Sequence, residues 1–227
     1  MTASVQQSRM TDRSQARKLL EEELRARMAD LGFSGKKTDF NQKFTDETTL
    51  WVSLQILKDR ETLLGLFPRV GFINWKVAEF FRRYLEDPIN PAGNITPTLS
   101  ATLGYLMCEP HQVECYFECT EASIRDAVKA VIQNMVSYGM SFMTRYPDLH
   151  SLHAWAKDPG VEPEATHFQP QLLRAVILYL VGDWIQAKDM IETQIAEAGE
   201  DLNDPSYGPI VRLRDLLSES PQGRLNH

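Results

Sequence analysis

Between residues 12 and 30 apolar side chains recur every three or four positions: Ala16, Leu19, Leu20, Leu24 and Met28, with charges filling the other face. That spacing predicts a helix with one buried stripe. Leu31-Gly32-Phe33 closes it, because glycine readily takes the left-handed conformation just past a helix end. Glu21-Glu22-Glu23 lies mid-helix and reads as its solvated face. The period then drops to two. Residues 38–44 read as a polar strand with Phe40 and Phe44 turned inward. Over 48–57, Leu50, Val52, Leu54 and Ile56 alternate with Trp51, Ser53, Gln55 and Leu57, a half-buried strand rich in β formers. Thr45-Asp46-Glu47 between them reads as a hairpin turn. A third strand is expected over 64–73, where Pro68 lacks a backbone donor and marks an edge or a bulge.

The stripe Val77, Phe80, Phe81, Tyr84 and Leu85 predicts a helix over 75–86, and the proline- and asparagine-rich 87–97 a loop. Strands at 98–107 and 113–118 are expected to form a hairpin through Glu109-Pro110-His111-Gln112. Ile124, Ala127, Val128, Val131, Ile132 and Met135 predict a helix over 121–138, broken at Tyr138-Gly139. Short helices follow at 140–146, stopped by Pro147, and at 148–156. Residues 157–166, with two prolines and three acids, read as a linker. Helices at 169–181 and 184–198 flank Gly182-Asp183. With Ala187 allowing close approach, this resembles a tetratricopeptide-type helical hairpin, although no repeat of about 34 residues accompanies it. A last helix covers 207–218. Turn-linked strands and interspersed helices predict an α+β fold: an antiparallel sheet packed against helices, with a C-terminal helical hairpin region. The expected division is an α+β domain over 11–157 and a helical subdomain over 158–227.

Composition is that of an ordinary globular chain: 227 residues, 43% apolar and 24% charged. No run of about 18 apolar residues suggests a membrane span. Residues 1–10 are polar and without the apolar segment of a secretory signal, and three cysteines are too few and odd for a disulfide framework. A cytoplasmic location is the expectation. The net charge of −7 is uneven. Residues 1–44 hold nine bases and six acids, 45–157 ten and thirteen, and 158–227 five and twelve. An acidic C-terminal third repels phosphate backbones and attracts basic partners, unless it serves solubility alone.

No phosphate-binding glycine loop, dinucleotide fingerprint or nucleophile elbow occurs. Cys108, His111, Cys115 and Cys119 would bring four zinc-type ligands together if the hairpin set Cys108 opposite Cys115. The competing reading is small apolar side chains on a strand. His150 and His153 share a helical face, with His167, Glu162 and Glu164 further along, but no glutamate sits between them to act as base. Trp51, Phe67, Phe72, Trp75, Phe80 and Phe81 concentrate in the first half with few bases among them, which fits core packing better than base stacking.

Leu31-Gly32-Phe33-x-x-Lys36, then Phe40 and Phe44, the Trp51-Val52-Ser53-Leu54-Gln55 strand, Leu103-Gly104-Tyr105-Leu106 and Tyr138-Gly139-Met140-Ser141-Phe142 together resemble a bacterial domain of unknown function, the DUF4304 type, over residues 12–157. The 87–97 segment and the C-terminal hairpin depart from it. The resemblance implies an immunity protein of a polymorphic toxin system, one that blocks a toxin by binding and catalyses nothing. It implies no cofactor. A basic toxin would meet the acidic third, with Glu162, Glu164, Glu197, Glu200, Asp201 and Asp204 as contact residues. An adaptor or scaffold using the helical hairpin, and a metal-dependent enzyme using the histidines, are the alternatives.

Overall fold

The first helix, α1 (Arg13–Asp30), buries Ala16, Leu20, Leu24 and Met28 completely, the stripe its spacing dictates. It ends at Gly32, at φ +81°. There the Gly32 and Phe33 N–H groups donate back to Ala29 and Met28 at 2.9 Å, and Phe33 is buried in the same core as Met28. A computed structural model describes residues 13–57, 63–85, 96–107, 114–158, 169–199 and 204–219. After α1 come β1 (Ser34–Lys36), β2 (Asp39–Lys43), β3 (Thr48–Leu57) and β4 (Leu63–Asn74). Next are α2 (Trp75–Phe80), running on as a π-helical turn Phe81–Leu85, then β5 (Leu99–Thr102), α3 (Leu103–Leu106) and β6 (Cys115–Glu118). Then follow α4 (Glu121–Asn134), its π-helical extension Met135–Gly139, and α5 (Met140–Met143). The remainder is α6 (Leu149–Lys157), α7 (Pro170–Leu180), α8 (Trp184–Ala198) and α9 (Gly208–Glu219).

The fold is α+β, with an antiparallel six-stranded sheet among the described residues. Strand order is β1-β2-β3-β4-β5, and β6 pairs with β4 in the register Leu63↔Glu118 to Leu66↔Cys115. The chain divides into two compact units. One comprises Met1–Lys43, Leu50–Gly71 and Ser100–Thr144; the other comprises Phe44–Thr49, Phe72–Leu99 and Arg145–His227. Among the described residues no helix is long and apolar enough to cross a membrane.

In the first unit, α1 and α4 contribute Leu20, Leu24, Ile124 and Val128 to a core shared with Leu50, Val52 and Leu54 of β3 and Leu64, Leu66 and Val70 of β4. Those strand positions are all even-numbered, so Trp51, Ser53, Phe67 and Arg69 stand on the opposite face of the sheet, where each is half-buried. In the second unit, α7 buries Leu172, Leu173 and the run Ala175–Leu178, and Ala187 of α8 is fully covered. Gly182 turns the α7–α8 hairpin at φ +85°. Its N–H donates to Tyr179 O at 3.1 Å and that of Asp183 to Leu178 O at 2.9 Å, the same double bond pattern that ends α1.

Four expectations need correcting. Phe44 is 41% exposed, because β2 ends at Lys43 and the Phe44 N–H donates into the turn at Thr48 O, out of the strand's alternation. Pro68 is not on an edge strand. β4 has β3 on one side and β6 and β5 on the other: β6 pairs up to Leu66, and the Arg69 side chain reaches Ser100 of β5. Pro68 falls at that changeover, where a missing donor is tolerated. The hairpin of 98–107 with 113–118 does not form. β5 stops at Thr102, whose hydroxyl accepts from the Tyr105 N–H and starts α3, and β6 goes to β4. Gly139 does not break its helix; it is helical at φ −70°, and the π-helical turn continues into α5. Its lack of a side chain serves close approach instead, since a Cβ there would lie 3.2 Å from Val70 Cγ1.

Candidate binding surface

The acidic third of the sequence places its unneutralised carboxylates on α8. This helix starts at the α7–α8 turn and buries only Ala187 and Ile191. Ile185, Asp189, Glu192 and Ala196 follow one another at intervals of three or four, and all four are exposed. Helical geometry lines them up on one outer stripe. Ile185 is 68% exposed, the most exposed large apolar side chain among the described residues. Asp189, Glu192 and Glu197 form no ion pair among the described residues, whereas other acids nearby are engaged: Asp183 with Lys157 at 2.8 Å, Asp215 with Arg214 at 2.7 Å. Glu197 stands in the last turn of α8, a turn without a basic residue. Carboxylates there face the negative end of the helix dipole, at a cost of about 0.3–1 kcal/mol each.

Of the six expected contact residues, Glu197 is exposed. Asp204 is also exposed, but its carboxylate accepts the Ser206 N–H at 2.8 Å and caps the short turn before α9. The Ser206 hydroxyl and N–H together hold the Asp204 carboxyl below its ordinary range. Glu162, Glu164, Glu200 and Asp201 lie outside the described residues.

The histidines are placed on α6. His150 is exposed; His153 is half-buried, its ring 6.4 Å from that of His150. His153 Nε2 lies 3.3 Å from Asp183 Oδ2, the oxygen that also receives Lys157 Nζ. Lys157 first, then burial working the other way, and then His153 set the balance that leaves the Asp183 carboxyl below its ordinary value. The trio joins the α6 face to the α7–α8 turn, a structural pin that sequence reading missed because Asp183 is thirty residues from His153. His167 lies outside the described residues.

Of the cysteine constellation, Cys115 and Cys119 are among the described residues. Cys115 stands opposite Leu66, a consequence of β6 pairing with β4. Both Cys115 and Cys119 are half-buried against the first unit's core. Burial pushes the Cys115 thiol up from its ordinary value. Cys108 and His111 lie outside the described residues. Among the described residues no group of three or more His, Cys, Asp or Glu side chains is placed to hold a metal ion. The aromatic cluster divides. Phe72, Phe80 and Phe81 are core, whereas Trp75 is largely exposed with its indole N–H on Thr49 Oγ1 at 2.9 Å.

Comparison of the chain with family models, with curated proteins and with solved structures found no match.

Proposed function

We propose that this chain is a non-enzymatic protein-binding protein that neutralises a basic toxin by direct contact. The reading keeps the DUF4304-type resemblance and a cytoplasmic setting as its premises. The observation that supports it is the α8 stripe: one exposed isoleucine in line with carboxylates that form no ion pair among the described residues. An apolar anchor desolvated against a partner, rimmed by charges that steer and orient it, is the arrangement by which acidic proteins capture basic ones. Glu197 extends the same field to the end of the helix. An adaptor role would use the same stripe; it differs in accepting several partners, and Ile185 is the feature that favours it.

The test is capture from a lysate of the native source with the full chain as bait. One basic partner retained in stoichiometric amount is expected, its gene beside that of this chain. The double reversal Asp189→Lys/Glu192→Lys should abolish capture without lowering the melting temperature, because both side chains are exposed and form no ion pair among the described residues. Undiminished affinity in that variant refutes the reading. Several unrelated partners, each lost with Ile185→Ser, would favour the adaptor instead.

A further inference from the structure

A cation in the middle of a sheet normally has an anion beside it. Among the described residues Arg69 has none. It lies on β4, flanked on both sides by other strands, and is half-buried. Among the described residues its hydrogen bond runs from Nη2 to Ser100 Oγ at 2.9 Å. Its Nε is sealed from solvent without an acceptor. No carboxylate among the described residues pairs with it, and burial alone lowers its pKa. The remaining nitrogen, Nη1, is the part of the fork left for something outside the fold.

The face of the sheet that carries Arg69 also carries flat apolar side chains. Strand alternation puts Trp51, Ser53 and Phe67 on the same face as Arg69. Tyr116 of β6 joins them: a Cβ on Gly65 would fall 2.8 Å from its ring, so the tyrosine lies across the strand at a glycine that leaves it room. The α1–α4 core covers the opposite face. Trp51 and Phe67 are half-buried, and Tyr116, whose hydroxyl donates to Glu114, is exposed further along the same face.

We infer that this face binds a small aromatic monocarboxylate, its carboxylate on Arg69 and its ring on the surface formed by Trp51 and Phe67. A single guanidinium matches one negative charge, and planar side chains match a planar body. A phosphate dianion would call for more donors than a single guanidinium. The site is independent of the α8 stripe and stands or falls separately from the protein-capture reading.

The probes are benzoate, phenylacetate and indole-3-acetate, each titrated into the full chain at millimolar concentrations, with inorganic phosphate as the control anion. The readout is the indole N–H resonances of the four tryptophans in a nitrogen-15 spectrum. At least one of the carboxylates should shift the Trp51 resonance saturably and leave those of Trp75, Trp155 and Trp184 in place. Arg69→Met keeps most of the side chain's bulk and removes an incompletely paired charge, so it should fold and lose the saturation at least tenfold in affinity. A melting curve verifies the folding. Ser53→Ala, a milder change on the same face, should weaken binding less. Three results overturn the inference: none of the three carboxylates saturating, Arg69→Met binding as tightly as the parent, or phosphate saturating where the carboxylates do not.

Discussion

Glu47 is the sharpest place to perturb the second unit. It sits in the β2–β3 turn, yet it reaches two distant elements. Its Oε1 receives Lys76 Nζ of α2 at 2.6 Å, and its Oε2 accepts the Leu149 N–H at the start of α6 at 3.1 Å. Its own carbonyl accepts the Trp75 N–H at 2.9 Å, a bond that mutation of the side chain leaves intact. Glu47→Ala therefore removes a carboxylate from a helix start, about 0.5–2 kcal/mol. It also removes an exposed ion pair, about 0.2–1 kcal/mol. The expected loss is about 1–2 kcal/mol, which for a chain of this size lowers the melting temperature by about 2–8 °C. Acid supplies a second readout. The bond from Lys76, then that from Leu149, hold the Glu47 carboxyl below its ordinary value of 4.5. A depressed carboxylate stabilises the fold fully above the unfolded-state value and loses that contribution as pH falls through the lower folded value. Calorimetry of parent and Glu47→Gln should thus show a gap that is complete at neutral pH and closes below about pH 4.5. A gap constant down to acid pH, or a Glu47→Ala melting point within about one degree of the parent, refutes this account.

Two further substitutions probe the helical hairpin. Gly182→Ala meets no atom within 4 Å but must hold φ near +85°, so its cost is backbone strain alone, about 1–2 kcal/mol by denaturant unfolding. A loss below about 0.5 kcal/mol would mean that the turn relaxes out of the left-handed region. Glu197→Lys should act in the opposite sense. It places a cation at the negative end of α8 and should raise stability by about 0.3–1 kcal/mol in low salt, an increment that shrinks as salt is added. A destabilised Glu197→Lys would show that Glu197 already has a structural partner.

Where an element was set by its own residues, the sequence was enough to find it. The α1 stripe, the β3 alternation and the Gly182 turn all depend on contacts a few residues away, and all three are present. Where the partner was distant, local pattern misled. β6 follows β5 in the chain and was read as its hairpin mate. Thr102 ends β5 early by capping α3, and Phe117 of β6 completes the core on β4 opposite Leu64. That choice is a competition between two strands for one edge of β4, and no window around either strand encodes it. Pro68 was informative but ambiguous: a missing donor is also tolerated at the point where one neighbour gives way to another.

The same distinction separates the charges that matter from those that do not. Asp183 and Asp189 are six residues apart in one acidic stretch, and by sequence alone they are equivalent. The fold makes them opposites. α6 brings Lys157 and His153 to Asp183, which spends its charge inside the molecule, whereas Asp189 is left in line with Ile185 and Glu192 facing outward. Ile185 was legible beforehand, since an isoleucine on the polar side of an amphipathic helix breaks the pattern that buries Ala187 and Ile191. Arg69 was not. On an edge strand or beside an acid it would be unremarkable. Only the pairing of β4 on both sides, together with a hydrogen bond to Ser100 and no carboxylate partner among the described residues, sets it apart.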